Sequence, residues 1–137
     1  MEKHFHLDDS EFEKAFENCT IDPVIFTHEA HLRLAWIHIT KYGEENAIGN
    51  ICKQLMVFVE FVGANGKYNK TLTVAAIKAV HHFIKKSKSD TFDDFITEFP
   101  HLKYNFKELM NFHYKIDIFN SMQAKTEFLE PDLVPFD

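Results

Sequence analysis

Thr27-His28-Glu29-Ala30-His31-Leu32-Arg33-Leu34-Ala35-Trp36-Ile37-His38-Ile39-Thr40-Lys41-Tyr42 is the stretch on which the fold turns. Thr27 suits an N-cap, and Gly43 stops the run after Tyr42. The spacing predicts a helix over 27–41. Leu32, Leu34, Ala35, Trp36, Ile37 and Ile39 cover nearly every side of it. A helix that is apolar all round is a buried, central one. Yet it also carries His28, His31, Arg33 and His38. Polar groups on a buried helix need partners or a chemical role.

Outward from this helix, the pattern predicts more helices. Ser10 caps a first one over 10–18, with Glu13 at capping-box spacing and Phe12 and Phe16 on one face. Ile48, Ile51, Leu55, Phe58 and Val62 recur at three and four residues, which predicts a helix over 44–62. Leu72, Ala75, Ala76, Ala79, Val80 and Phe83 do the same over 69–86. Shorter helices are expected over 92–99, 105–114 and 115–127. Pro131 and Pro135 then hold the tail extended. No window alternates with a period of two. The predicted class is all-α: one domain over 1–137, an antiparallel bundle of three or four long helices with the short C-terminal helices packed across it.

Composition narrows the function classes. The chain has 137 residues, 45% of them hydrophobic and 26% charged. Its net charge is −6, against the basic face of a nucleic-acid binder. No stretch approaches the roughly 20 apolar residues of a membrane span. The N-terminus lacks the apolar core of a secretory signal, so a cytoplasmic location is expected. Cys19 and Cys52 sit in no CxxC pattern and read as reduced thiols. Among 15 Lys plus Arg, Arg33 is the sole arginine. Only a guanidinium holds a carboxylate or phosphate in planar, two-point contact.

Three clusters could carry chemistry. His28 and His31 stand three apart, hence on one helix face, where two imidazoles can grip one divalent metal ion or act as general acid and base. A metal would need a third ligand from another helix, such as Asn69, His81, His82, Asp132 or another carboxylate. The pair lacks the i+4 spacing and glutamate general base of a zincin helix. The alternative is a solvated His28 and a core His31. Arg33, with Trp36 one turn on, can grip an anionic group or form a buried ion pair. Lys67-Tyr68-Asn69-Lys70-Thr71 leads from a glycine loop into a helix start. Such a start offers free backbone N–H groups to an anion, or is simply capped by Asn69. His4 and His6 read as solvated, and His81 and His82 as core-edge residues.

Three segments together resemble a family of small, uncharacterised bacterial helical proteins. They are Phe26–Trp36, Lys67–Thr73 and Pro131–Leu133, set against the family's FTHxxHLRLAW, KYHxTLT and PDL. The resemblance implies no particular reaction. It does imply that the three segments form one site, with Asn69 replacing the family's histidine. Asn is a poor zinc ligand, though its carbonyl suits a hard ion.

In an up-down-up-down bundle the second and fourth helices start at the same end. The expected site therefore joins His28 and His31, as catalytic or metal-binding groups, to Arg33, Lys67, Tyr68, Asn69 and Thr71, with Asp132 on a covering tail. The expected ligand is a small anionic molecule, with a divalent metal as the candidate cofactor. The alternative is a non-catalytic interaction module or homodimer, using exposed Phe92, Phe95, Phe106, Phe112 and Phe119.

Overall fold

A computed structural model describes all 137 residues, Met1–Asp137. It is all-helical and has no strand. The chain divides into two compact units, Met1–Tyr68 and Asn69–Asp137.

The first unit starts with a 3-10 turn, Lys3–His6. Helix α1 spans Asp9–Glu17. Its cap is Asp8, two residues before the expected Ser10. The Asp8 side chain accepts from Glu11 N at 2.8 Å, and Glu11 accepts from Asp8 N at 2.9 Å. Asp8-Asp9-Ser10 offers three cap residues in a row; Asp8 closes a capping box with Glu11, while the Asp9 carboxylate is bonded to Arg33. A 3-10 turn at Pro23–Ile25 leads into α2, His28–Tyr42, whose cap Thr27 accepts from Ala30 N at 3.3 Å.

Gly43, at φ 87°, both ends α2 and starts α3, Glu44–Phe61. A single residue between two long helices folds them into a packed hairpin. Helix α1 packs on both. Every residue from Leu32 to Ile39 is buried, which matches the apolar-all-round pattern. Phe12, Phe16, Ala30, Leu34, Ile37, Ile51, Leu55 and Phe58 supply the core. Phe16 stacks on Phe26 with ring centres 4.8 Å apart, and Phe58 closes on both at 5.2 and 5.3 Å. Burying one such ring contributes about 1.5–3 kcal/mol. A last 3-10 turn, Asn65–Lys67, leads to Tyr68.

The second unit is built on α4, Lys70–Ile84. Then come α5 (Phe92–Glu98), α6 (His101–Tyr104), α7 (Phe106–His113) and α8 (Met122–Thr126). Pro100 separates α5 from α6. The helix expected over 115–127 is confined to α8. Asp117 accepts from Phe119 N and from the Asn120 amide, which makes a turn there, and Ser121 caps the shortened helix.

The tail from Glu127 is extended and lies along its own unit. Leu133 N donates to His113 O at 3.0 Å, Tyr114 donates its hydroxyl to Leu129 O at 2.7 Å, and Phe136 stacks on His113 at 4.2 Å. Phe92 and Phe95 are core residues here, 3% and 0% exposed, and Phe106 and Phe119 are half-buried. That corrects the expectation of an exposed phenylalanine patch, of which Phe112 alone is exposed, at 61%.

Candidate functional site

The first unit carries two polar clusters on different sides of α2. Glu29 and Arg33 are four apart, so they share a face, and both are buried. They hold the N-terminal segment. Arg33 Nη1 donates to His4 O at 2.7 Å, and Nη2 donates to Leu7 O at 2.8 Å and Asp9 Oδ1 at 2.9 Å. Nε also donates to Asp9, at 3.3 Å. The guanidinium lies over the Phe12 ring at 4.7 Å and faces Phe5 at 5.4 Å. Arg33 thus forms an ion pair with Asp9, as one of the two expectations had it, but only the guanidinium is buried, since the Asp9 side chain is 49% exposed.

His4, read from the sequence as solvated, is fully buried within this cluster. Arg33 Nη1 approaches His4 Nδ1 at 3.4 Å, and a guanidinium only donates. Nδ1 is therefore the acceptor, and the proton sits on Nε2, which donates to Glu29 Oε1 at 2.7 Å. Burial lowers the His4 pKa, against the opposing pull of Glu29.

Ligand atoms of Glu2, His4 and Glu29 all lie within 4.8 Å of one another. Glu2 also accepts from the Thr27 hydroxyl. A metal on His4 Nε2 would move the ring proton to Nδ1, against the guanidinium. Metal-bound histidines ordinarily give that second N–H to a carboxylate or carbonyl. This donor set fits a hydrogen-bonded tie better than a metal centre.

His28 and His31 stand apart from that tie. Both are exposed, on the first turn of α2. The His31 ring stacks on Phe26 at 4.0 Å, which fixes its orientation. Its Phe26 face is turned away from water. This desolvation, and second the neighbouring charge of His28, lower its pKa to about 4. His31 is therefore neutral at neutral pH.

The remaining predicted residues divide between the units. Lys67 is exposed and Tyr68 half-buried, both at the end of the first unit. Burial, and then the Cys52 thiol beside it, raise the Tyr68 pKa, so its hydroxyl keeps its proton. Asn69, Thr71 and Asp132 belong to the second unit, and each is used in holding that unit together. Asn69 caps α4, accepting from Leu72 N at 3.0 Å, and donates to Ile118 O at 2.8 Å. The Thr71 hydroxyl donates to Glu127 O at 2.7 Å and accepts from Leu129 N at 3.0 Å. Asp132 accepts from Lys115 N at 2.9 Å.

The second unit also has a shallow cleft, lined mainly by Phe83, Leu109, Phe112, Val134 and Phe136, with His82 and His113 at its edge. Its histidines are already paired. His82 meets Asp137 at 2.6 Å, and His113 Nδ1 donates to Val134 O at 2.6 Å. Lys85 first, and His82 second, hold the Asp137 carboxyl down at about 2.

No helix is long and apolar enough to cross a membrane. Compared with protein-family models, with curated proteins and with solved structures, the chain matches none.

Proposed function

We propose that the chain binds a small anionic ligand with the help of a divalent metal ion, at the imidazole pair His28–His31 on the first turn of α2. The observation that carries this reading is the pair itself: two exposed imidazoles one turn apart, the His31 ring held in place by stacking on Phe26 at 4.0 Å. Neutral imidazole is the form that ligates a metal or accepts a proton. His28 lies one turn back on the same face. Two imidazoles fill half of a tetrahedral shell, and in this reading the anion and water take the remaining positions where a zinc enzyme ordinarily has a third protein ligand. Lys67, exposed in the same unit, is the cation proposed to steer that anion. In the proposal the chain acts in a bacterial cytoplasm, in keeping with its two free cysteines and with the family it resembles.

Calorimetric titration of the untagged protein with zinc chloride, and then with inorganic phosphate, tests this. Wild type is expected to bind zinc, and to bind phosphate more tightly once zinc is present. His28→Ala and His31→Ala should each abolish zinc binding without changing the circular dichroism spectrum, because both rings are exposed. Absence of zinc and phosphate binding, or binding that survives both substitutions, removes the reading.

A second reading, an interaction module, is favoured by one observation. The C-terminal half of α3 leaves Met56, Val57 and Phe61 exposed.

A further inference from the structure

Helix α3 is two-sided. Ala47, Ile51, Leu55 and Phe58 are buried in the first unit. The opposite face carries Gly49, Lys53, Met56, Val57, Glu60 and Phe61, all exposed. Met56 is 54% exposed, Val57 51% and Phe61 70%. Three large apolar side chains exposed together in a stripe on one helix face, with charged residues beside them, mark a candidate contact surface.

The charges on the stripe indicate what covers it. Lys53 and Glu60 lie seven residues apart, two helical turns, on the same face. Their midpoint falls between Met56 and Val57. We propose that a second copy of this chain covers the stripe, its α3 antiparallel to the first, about a two-fold axis passing between Met56 and Val57.

In that register each Lys53 faces the partner copy's Glu60, and symmetry makes the pair twice. Met56 faces Val57 across the axis. Phe61 reaches the level of Cys52, flanked by Gly49 and Lys53. Gly49 carries no side chain and open space surrounds the position a Cβ would take, so a partner's ring has room beside it. A parallel pairing would set Lys53 against Lys53 and Glu60 against Glu60. The charge pattern therefore selects the antiparallel copy. This inference extends the interaction-module reading and is independent of the imidazole pair.

A single helix pair sits at the small end of specific interfaces, below about 1,200 Å². The dimer is therefore expected to be concentration-dependent. Sedimentation equilibrium of the untagged protein, from about 10 μM to about 1 mM, reads it. The apparent mass of wild type should rise toward twice the monomer value. Phe61→Glu and Lys53→Glu should each stay monomeric, with unchanged thermal melts. The double variant Lys53→Glu/Glu60→Lys should dimerise again, since the swapped charges still face their opposites.

A wild type that stays monomeric throughout overturns the proposal. So does a dimer that survives Phe61→Glu, or one that Phe112→Glu in the second unit disrupts instead. Monomeric behaviour of the charge-swapped double variant overturns the antiparallel register.

Discussion

Arg33 Nη1 stands 3.4 Å from His4 Nδ1 and 2.7 Å from the carbonyl of the same residue. One guanidinium thus fixes both the backbone and the tautomer of a histidine 29 residues away, and His4 donates its Nε2 hydrogen to Glu29 Oε1 at 2.7 Å. This relay joins the 3-10 turn at Lys3–His6 and the start of α1 to α2.

Arg33→Lys should expose how much depends on the planar fork. An ammonium keeps the charge but cannot reach His4 O, Leu7 O and Asp9 together. Leu7 O, half-buried, then loses its donor, while His4 O keeps the Leu7 N–H at 3.2 Å. An orphaned carbonyl costs about 1–3 kcal/mol where no water replaces the donor. The expected loss is about 1–3 kcal/mol in urea unfolding. A change below about 0.5 kcal/mol would show that the fork is dispensable.

Acid should destabilise the protein before its carboxylates titrate. His4, His31 and His38 all have pKa values lowered from 6.5 in the folded chain, chiefly by burial or crowding. The unfolded chain therefore binds more protons than the folded one below about pH 7. Stability is complete above the unfolded value of 6.5 and declines as the pH drops toward the folded values, that of His31 being about 4. Urea midpoints measured at pH 7.5, 6.5, 5.5 and 5.0 should fall in that order. A flat or rising series contradicts the assignment of neutral rings.

Thr71→Val keeps the shape of the side chain and removes its hydroxyl. Glu127 O and Leu129 N both lose their partner. The expected cost is about 2 kcal/mol. Amide exchange at Leu129 should accelerate more than exchange within α4. Unchanged protection at Leu129 would mean that the tail is held by other contacts.

Local signals were legible in the chain wherever the deciding groups are close in sequence. Thr27, Asn69 and Thr91 cap helices as their types suggest, since a cap bonds within three residues. Gly43 takes a positive φ at the turn where the α2 pattern ends. Local signals misled where several residues compete, as at Asp8-Asp9-Ser10, and where the turn at Asp117–Asn120 interrupts an otherwise continuous helical pattern.

The candidate site divides the same way. The pairing of His28 with His31 follows from helical spacing. Nothing near His4 in sequence announces Glu29 and Arg33, which lie 25 and 29 residues on. Arg33 looked like an anion grip because its rarity was visible and its partners were not. Asn69 and Thr71 meet Ile118, Glu127 and Leu129 across 49 to 58 residues of chain.

From sequence alone come the helical class, the buried run of α2 and the caps, because hydrophobic period and capping act over one or two turns. The tertiary structure alone decided that His4 is buried, that Arg33 ties down the N-terminal segment, and which imidazoles face water. A hydrogen bond between residues dozens of positions apart leaves no periodic trace in the chain. It is set only when packing brings the two elements together and removes the water that would otherwise have served each group.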